Sequence, residues 1–315
     1  MKILLLVTAF NSQTQGVYTY LKDKDHTVSV SFAINEAQIL TEVKEFEPEM
    51  ILCPFLKFYL PSSIYEKYPT YIFHPGPLGD RGPNSLEYAL TSHTKEWGLV
   101  ILRANEAYDG GDIYAQVDFK VRDTYKASLY RQEITQASLK ALEIFFKTLQ
   151  GDKQIPQILN PIHEKFTQAK RQIDWSKDST KTIIQKIYLS DSFPGVLDEI
   201  LGVTCYLYGA HSEANLKGEI KEILAKRDGA ICIATLDGAV WISHLKELGG
   251  YKLPSTYVLK EKLQGIKEQR LPLIFDKSYD TFYEIGMEMR DNVAYLCFNF
   301  HNGAMSTAQC IRLKY

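Results

Sequence analysis

Short apolar runs, mostly β-branched or aromatic, alternate with helically spaced stretches through about residue 153. Residues 2–8, 27–32, 49–53, 70–74 and 97–103 have the length and composition of strands. Residues 35–46, 83–92 and 125–149 repeat their apolar positions at the spacing of a helix face, with Asn35 and Pro83 as starts and Gly151 as a stop. β and α units in alternation predict an α/β domain with a doubly wound, mostly parallel sheet that binds ligands beyond the carboxyl ends of its strands.

Beyond it the pattern loosens. Residues 155–200, with Pro156, Pro161, mixed charge and one short helix at 178–188, read as a connector. The period then changes to short strands at 203–208, 218–225, 230–235 and 239–244, with tight turns at Arg227-Asp228-Gly229 and Leu236-Asp237-Gly238, which predicts a small antiparallel barrel. A charged stretch at 260–270 reads as a second linker. The strands at 283–289 and 293–300 and the helix at 306–313 cannot bury a core of their own, so they pack on what precedes or begin something longer. The expected organisation is an α/β domain at 1–153, a connector at 154–200, a small barrel at 201–262, and a linker with the start of a further module at 263–315.

A chain of 315 residues with 45% hydrophobic positions is long and apolar enough for two cores. Its formal charge of -2 supplies no general basic face for nucleic acid or a membrane surface, though it is compatible with a small basic pocket. Cys53, Cys205, Cys232, Cys297 and Cys310 are odd in number and scattered, four of them in apolar runs, and predict buried thiols in a reducing cytoplasm. The apolar run at 2–8 is short and followed by no cleavage site, so it reads as a buried strand, and no run is long enough to span a membrane. His26, His93, His163, His211, His244 and His301 lack ligand-like spacing, and no metal is expected.

Candidate chemistry sits in Tyr71-Ile72-Phe73-His74-Pro75-Gly76-Pro77-Leu78-Gly79-Asp80-Arg81-Gly82-Pro83 and in Tyr108-Asp109-Gly110-Gly111-Asp112. A strand delivers His74 to the mouth of a Gly/Pro loop, and a second turn offers Asp109 to orient it, the usual build of an acid/base site on such a sheet. By themselves, His74 could cap a turn and Asp109 could be an Asp-Gly turn former. Residues 11–16, including Gln13, follow the first strand, where the switch point of the sheet would place part of a substrate or where the chain simply turns.

Together with Arg171-Gln172-Ile173-Asp174-Trp175-Ser176, these ordered motifs resemble the folate-dependent formyltransferases, the group of methionyl-tRNA and glycinamide ribonucleotide formyltransferases. Cys53-Pro54-Phe55-Leu56-Lys57, the Gly79-Asp80-Arg81-Gly82 loop, Phe193-Pro194-Gly195-Val196-Leu197-Asp198 and Phe300-His301-Asn302-Gly303-Ala304-Met305-Ser306 are similar to the hydrogenase-maturation branch, the HypX family. The resemblance implies a formyltransferase sheet, an OB-like second domain, and the beginning of a crotonase-like module whose later loops would lie beyond Tyr315. It implies formyl transfer from N10-formyl-tetrahydrofolate to coenzyme A as the first step toward carbon monoxide for a nickel-iron centre, with hydrogenase maturation proteins as partners. The alternatives are an amino acceptor, on methionyl-tRNA or a nucleotide-linked sugar, and a folate-binding module without turnover.

By the same resemblance, His74 would donate to the developing oxyanion, while Asp109 would hold its imidazole protonated and relay a proton through water. Phe55, Leu56, Lys57 and Tyr59 would flank the folate and Asn105 and Glu106 would close its pocket, although Phe55, Leu56 and Tyr59 also suit plain core contacts. Lys57 and Arg81 would meet the folate glutamate or a coenzyme A phosphate, or stay solvated. The family carries an Asn two residues before the histidine; here Ile72 stands there. Asn84, Asn105 and Gln13 are the candidate substitutes, and a thiol acceptor would lessen the need for one.

Overall fold

In β1 (Lys2–Val7) every residue after Lys2 is buried. Burial on both faces is what a sheet between two helical layers requires, and it makes the run continuously apolar where a half-exposed strand would alternate. The computed structural model describes residues 1–151 and 153–314 and forms two units, the first Met1–Phe166 and the second from Thr167 onward.

The first unit carries a six-stranded sheet in the order β2 (Thr27–Phe32), β1, β3 (Met50–Cys53), β4 (Thr70–His74), β5 (Glu96–Arg103) and β6 (Ile113–Lys120). The first four strands are mutually parallel; β5 and β6 are antiparallel additions. Its helices are α1 (Ser12–Asp23), α2 (Glu36–Phe46), α3 (Ser62–Tyr65), α4 (Ser85–Thr91), α5 (Lys126–Leu129) and α6 (Thr135–Leu149). On one face Ile3, Leu5 and Val7 pack with Val17 and Leu21 of α1 and Leu142 and Phe145 of α6. On the other, Leu4, Leu6 and Ile51 pack with Ile39 and Val43 of α2 and Ile64 of α3.

The departures from expectation have local causes. Asn11 caps α1 by accepting from the Thr14 N–H, and the helix hides in the sequence because half of its buried face is Gln13 and Thr14. Asn35 caps α2 as expected, but α4 starts two residues after Pro83 because Asn84 takes a left-handed φ of 64°. The long helix expected at 125–149 is α5, a π-helical turn Tyr130–Ile134, and α6. The reversal of β5 matters most. His74 pairs with Val100 and Tyr71 with Arg103, so the end of β5 lies beside the start of β4, and the carboxyl ends of the two strands are at opposite edges of the sheet.

The second unit opens with α7 (Gln168–Arg171) and α8 (Thr180–Ser190). Its antiparallel strands β7 (Val196–Ile200), β8 (Val203–Glu213), β9 (Ile223–Arg227), β10 (Ala230–Ala234) and β11 (Ala239–Glu247) take the order β7-β8-β11-β10-β9, with β12 (Lys252–Pro254) beside β11. Among the described residues β7 and β9 do not pair, so the expected barrel is an open sheet. Closure is unnecessary because each face is covered. Ile231, Ile233, Val240 and Ile242 pack against Ile183 and Ile187 of α8 and Leu259 of α9 (Ser255–Leu259), and Cys232 and Trp241 pack against Phe282 on the other face. Left-handed Asp228 and Gly229 make the expected two-residue turn between β9 and β10. The charged stretch at 260–270 runs along β9, where Lys226 donates to Lys267 and accepts from Gln269. The expected crotonase-like beginning is a hairpin of β13 (Ile285–Arg290) and β14 (Val293–Phe298) followed by α10 (Thr307–Lys314), which defines no further fold by itself. Tyr315 lies outside the described residues.

Glu213 anchors the segment that covers this sheet. Its carboxylate accepts from Trp241 Nε1 at 2.8 Å, Thr281 Oγ1 at 2.6 Å and Tyr279 at 2.5 Å. Burial alone would push its carboxyl up, but the bonds from Thr281, Tyr279 and Trp241 outweigh burial and hold it below the usual range. Replacing it by alanine strands these three side-chain donors and the Asn215 and Leu216 N–H groups that it also accepts from, and each donor left buried and unpaired costs about 1–3 kcal/mol. Glu213→Ala should therefore lower the unfolding free energy of this unit by about 3 kcal/mol in urea titrations, and a loss below about 1 kcal/mol would deny the anchor role.

Candidate active site

His74 ends β4 and points to the same sheet face as Ile72, since alternate residues share a face. Its side chain is 5% exposed, and Nδ1 lies 3.4 Å from Asp109 Oδ2. The loop after β5 brings Asp109 there by folding back over the sheet. That return depends on Gly111, where an added Cβ would stand 1.8 Å from the Arg103 carbonyl oxygen. Asp109 Oδ2 also accepts the Gly82 N–H at 3.0 Å, which joins the two loops.

On the other side of the ring, His74 Nε2 lies 2.6 Å from Asp80 Oδ2, and Asp80 Oδ1 lies 2.6 Å from His163 Nε2. His163 stacks on Tyr88 with ring centres 4.2 Å apart. Gly76 leaves room for this pair, since a Cβ there would fall 2.2 Å from Asp80 Oδ2 and 2.6 Å from His74 Nε2. Burial pushes the His74 pKa down, yet the Asp109 charge and the Asp80 hydrogen bond and charge outweigh burial and raise it above the ordinary histidine value. Burial likewise pushes Asp80 up, and its bonds to His74, Ser85 and His163, together with the charge of His74, hold it lower than an ordinary carboxyl.

Residues 155–166 strap these loops together. Gln157 accepts from Gly79 N–H at 2.9 Å and donates to the Asp109 carbonyl at 3.1 Å. Asn160 donates to the Gly79 carbonyl, and the His163 N–H donates to the Arg81 carbonyl. Arg81 is buried, with its guanidinium bonded to the carbonyls of Tyr108 and Asn160, so it braces the loops and is not the solvated cation considered from sequence.

Beside Asp109 lies a cavity of about 60 Å³ lined by Leu56, Tyr59, Tyr65, Ile72, Asn105 and Tyr108. Leu56, Tyr59 and Asn105 are thus gathered as the sequence suggested. Phe55 instead meets the edge of Tyr130, Lys57 is exposed with Nζ over the Phe55 ring, and Glu106 is exposed and outside the lining. Gln13 is buried against Ser138 of α6, and Asn84 bonds to the Phe166 N–H and to Glu87. Of the three candidate substitutes for the family Asn, only Asn105 shares the cavity with Ile72. A larger open cleft of about 350 Å³ on the second unit, lined by Glu199, Leu201, Gly202 and Lys221 among others, offers no histidine or buried carboxylate.

Sequence reasoning missed Asp80 and His163. The Gly79-Asp80-Arg81-Gly82 motif was visible, but nothing in its spacing says that the Asp turns inward to His74. Among the described residues, no group of three or more His, Cys, Asp or Glu is arranged to hold a metal ion. No helix among them is long and apolar enough to cross a membrane.

Residues 31–143 match the Formyl transferase family, and residues 165–262 match the family Formyl transferase, C-terminal domain. Hydrogenase maturation factor HoxX of Bradyrhizobium diazoefficiens is 33% identical over 98% of this chain and 55% of its own length. The structure of HypX from Aquifex aeolicus in complex with tetrahydrofolic acid is 41% identical, with a TM-score of 0.94 over 99% of this chain and 56% of that one. The chain therefore spans little more than half the length of these relatives. A methionyl-tRNA formyltransferase from Clostridium thermocellum, 17% identical, has a TM-score of 0.55 over 67% of this chain and shares the fold alone.

The cysteines divide by exposure. Cys53, Cys205 and Cys232 are buried, but Cys297 is half-buried and Cys310 exposed, against the expectation of buried thiols throughout; both lie on elements with a wet face. Burial pushes the Cys53 thiol, at the end of β3, far up, and burial aided by Asp198 and Glu247 pushes Cys205 up to about 12. Iodoacetamide at mildly alkaline pH should label Cys310 in the native protein and reach Cys53, Cys205 and Cys232 only after unfolding, as peptide mass mapping would read. Labelling of native Cys53 would show that solvent reaches the core between the sheet and α2 and α3.

Proposed function

The chain belongs to the formyl transferase family, and from that premise we propose that it transfers a formyl group from N10-formyl-tetrahydrofolate to coenzyme A, the first step of carbon monoxide synthesis for a nickel-iron hydrogenase. The observation that carries this reading is the His74–Asp109 pair beside a cavity walled by Leu56, Tyr59 and Asn105, in a chain aligned over 99% of its length with a HypX that binds tetrahydrofolic acid. Hydrogenase maturation proteins would be its partners and the cytoplasm its place of work.

In the reaction the acceptor sulfur bonds to the formyl carbon, the carbonyl oxygen gains negative charge, and the carbon–N10 bond then breaks. The proton lost by the thiol ends on N10. The chain must stabilise the oxygen and leave the acceptor nucleophilic. His74, whose pKa the Asp109 and Asp80 carboxylates raise, supplies positive charge next to Asp109 and the cavity when protonated. The same arrangement favours a thiol acceptor over an amine. An attacking amine must lose a proton to a base, and a ring with a carboxylate at each nitrogen has no lone pair to offer. A thiol ionises in part near neutral pH by itself. Ile72 in place of an amide donor fits the same demand, since it adds apolar wall and no hydrogen bond.

Purified protein incubated with N10-formyl-tetrahydrofolate and coenzyme A should release tetrahydrofolate and yield formyl-coenzyme A by mass spectrometry, and should fail to formylate methionyl-tRNA. The reverse preference would replace this reading with the amino-acceptor one. His74→Ala and Asp109→Asn should each lower the rate about 100-fold or more while tetrahydrofolate affinity stays within about threefold, because their work is on the charged intermediate. Wild-type turnover in either variant would remove that residue from the mechanism. Tyr59→Glu, which puts a charge on the cavity wall, should weaken tetrahydrofolate binding about tenfold; unchanged affinity in the folded variant would move the folate elsewhere.

A further inference from the structure

The mechanism above uses Asp80 only as one of two charges flanking His74, yet it is the nearer carboxylate to the reactive ring. A neutral imidazole has one N–H and one lone pair, and a lone pair aimed at a carboxylate repels it. A ring with carboxylate oxygens at 2.6 Å from Nε2 and 3.4 Å from Nδ1 therefore favours the doubly protonated form. Asp80 is itself fully engaged, with Oδ2 on His74 and Oδ1 on His163, and its backbone N–H donates to the Pro77 carbonyl. His163 is anchored in turn by stacking on Tyr88 and by its N–H to Arg81, while 28% of its side chain remains exposed.

We propose that Asp80 is a positioning residue of the transfer reaction: clamping Nε2 of His74 while Asp109 faces Nδ1, it fixes the imidazole as an immobile cation and ties it through His163 to the strap at 155–166. The inference rests on the formyl-transfer reading for its purpose, though not for its geometry. A fixed cation gives the developing oxyanion the positive charge that an amide at position 72 would otherwise help to supply. It also explains the glycine at 76, since any side chain there would enter the space between His74 and Asp80.

The pH behaviour follows from the groups that face the ring. These are Asp109 with its neighbour Tyr108 on the loop after β5, Asp80 on the loop after β4, and His163 on the strap behind Asp80. Arg81, on the same loop as Asp80, spends its guanidinium on carbonyls, and Cys53 on neighbouring β3 is uncharged. With the His74 pKa raised, the cation is present below the raised value and is lost as pH rises through it. Removing Asp80 leaves burial opposed by Asp109 alone, so the cation is lost at lower pH.

Two measurements on the full chain test this. Nitrogen-15 NMR of the histidine side chains should show both His74 nitrogens keeping their protons to a higher pH in the wild type than in Asp80→Asn. The rate of tetrahydrofolate formation in Asp80→Asn should fall roughly tenfold further below wild type at alkaline than at acidic pH, the signature of an alkaline limb displaced to lower pH. Gly76→Ala, which separates the two side chains without changing any charge, should shift His74 in the same direction and covers the case in which Asp80→Asn does not fold. A neutral His74 in the wild type, or a His74 titration unmoved in both variants, would overturn the proposal. If no variant and no wild-type sample transfers formyl, the functional reading falls, and the NMR titration still decides whether Asp80 clamps the ring.

Discussion

Burying an imidazole leaves two tolerable outcomes, a neutral ring with its one N–H satisfied or a charged ring with opposite charge at hand. The carboxylates at both nitrogens of His74 suit the second, and the surrounding backbone is shaped to bring them there. The chain after β4 turns tightly enough to bring Asp80 back onto Nε2, which requires glycine at 76. The chain after β5 folds back across the sheet to bring Asp109 onto Nδ1, which requires glycine at 111. The strap at 155–166 then holds both loops through Gln157, Asn160 and His163. An ion pair buried this deeply contributes little net stability of its own, because desolvation offsets the attraction, so its evident use is to fix one protonation state and one orientation.

Much of the first unit was legible in the sequence because strands buried on both faces leave unbroken apolar runs. β1, β2 and β4 fall within a residue of where the pattern put them, and the α2 cap is the Asn that the pattern named. The run at 97–103 also proved a strand, but its direction was not legible. An apolar run gives no sign of whether it enters the sheet parallel or antiparallel, and so the reasoning that set Asp109 at the same edge as His74 reached a true neighbour by a wrong route. In the second unit short strands and their tight turns were visible, while openness was not, because closure depends on whether β7 meets β9 and not on either strand's own residues.

The site shows a similar division. His74, Asp109, Tyr59 and Asn105 sit at places that motif order can find, since His74 closes β4 and the others lie in the loops just after β3 and β5. Asp80 and His163 depend on side-chain direction across 83 residues of separation, which no local pattern encodes. Gln13 and Asn84 illustrate the opposite error. Polar residues near a loop mouth suggest a ligand, but the first satisfies Ser138 in the core and the second satisfies the Phe166 N–H, because buried polar groups inside the fold must be bonded too.

The strap also changes what counts as the working part of the first unit. Alternation of strand and helix stops near residue 153, and a fragment cut there would retain every strand and helix of the sheet. It would lose Gln157, Asn160 and His163, and with them the ties that hold both loops over His74. A fragment cut after Phe166 would keep them. The boundary that matters for dissecting this protein is thus set by a segment with almost no regular secondary structure, in which an insertion or a tag of the kind loops usually tolerate would reach the reactive histidine through one intervening carboxylate.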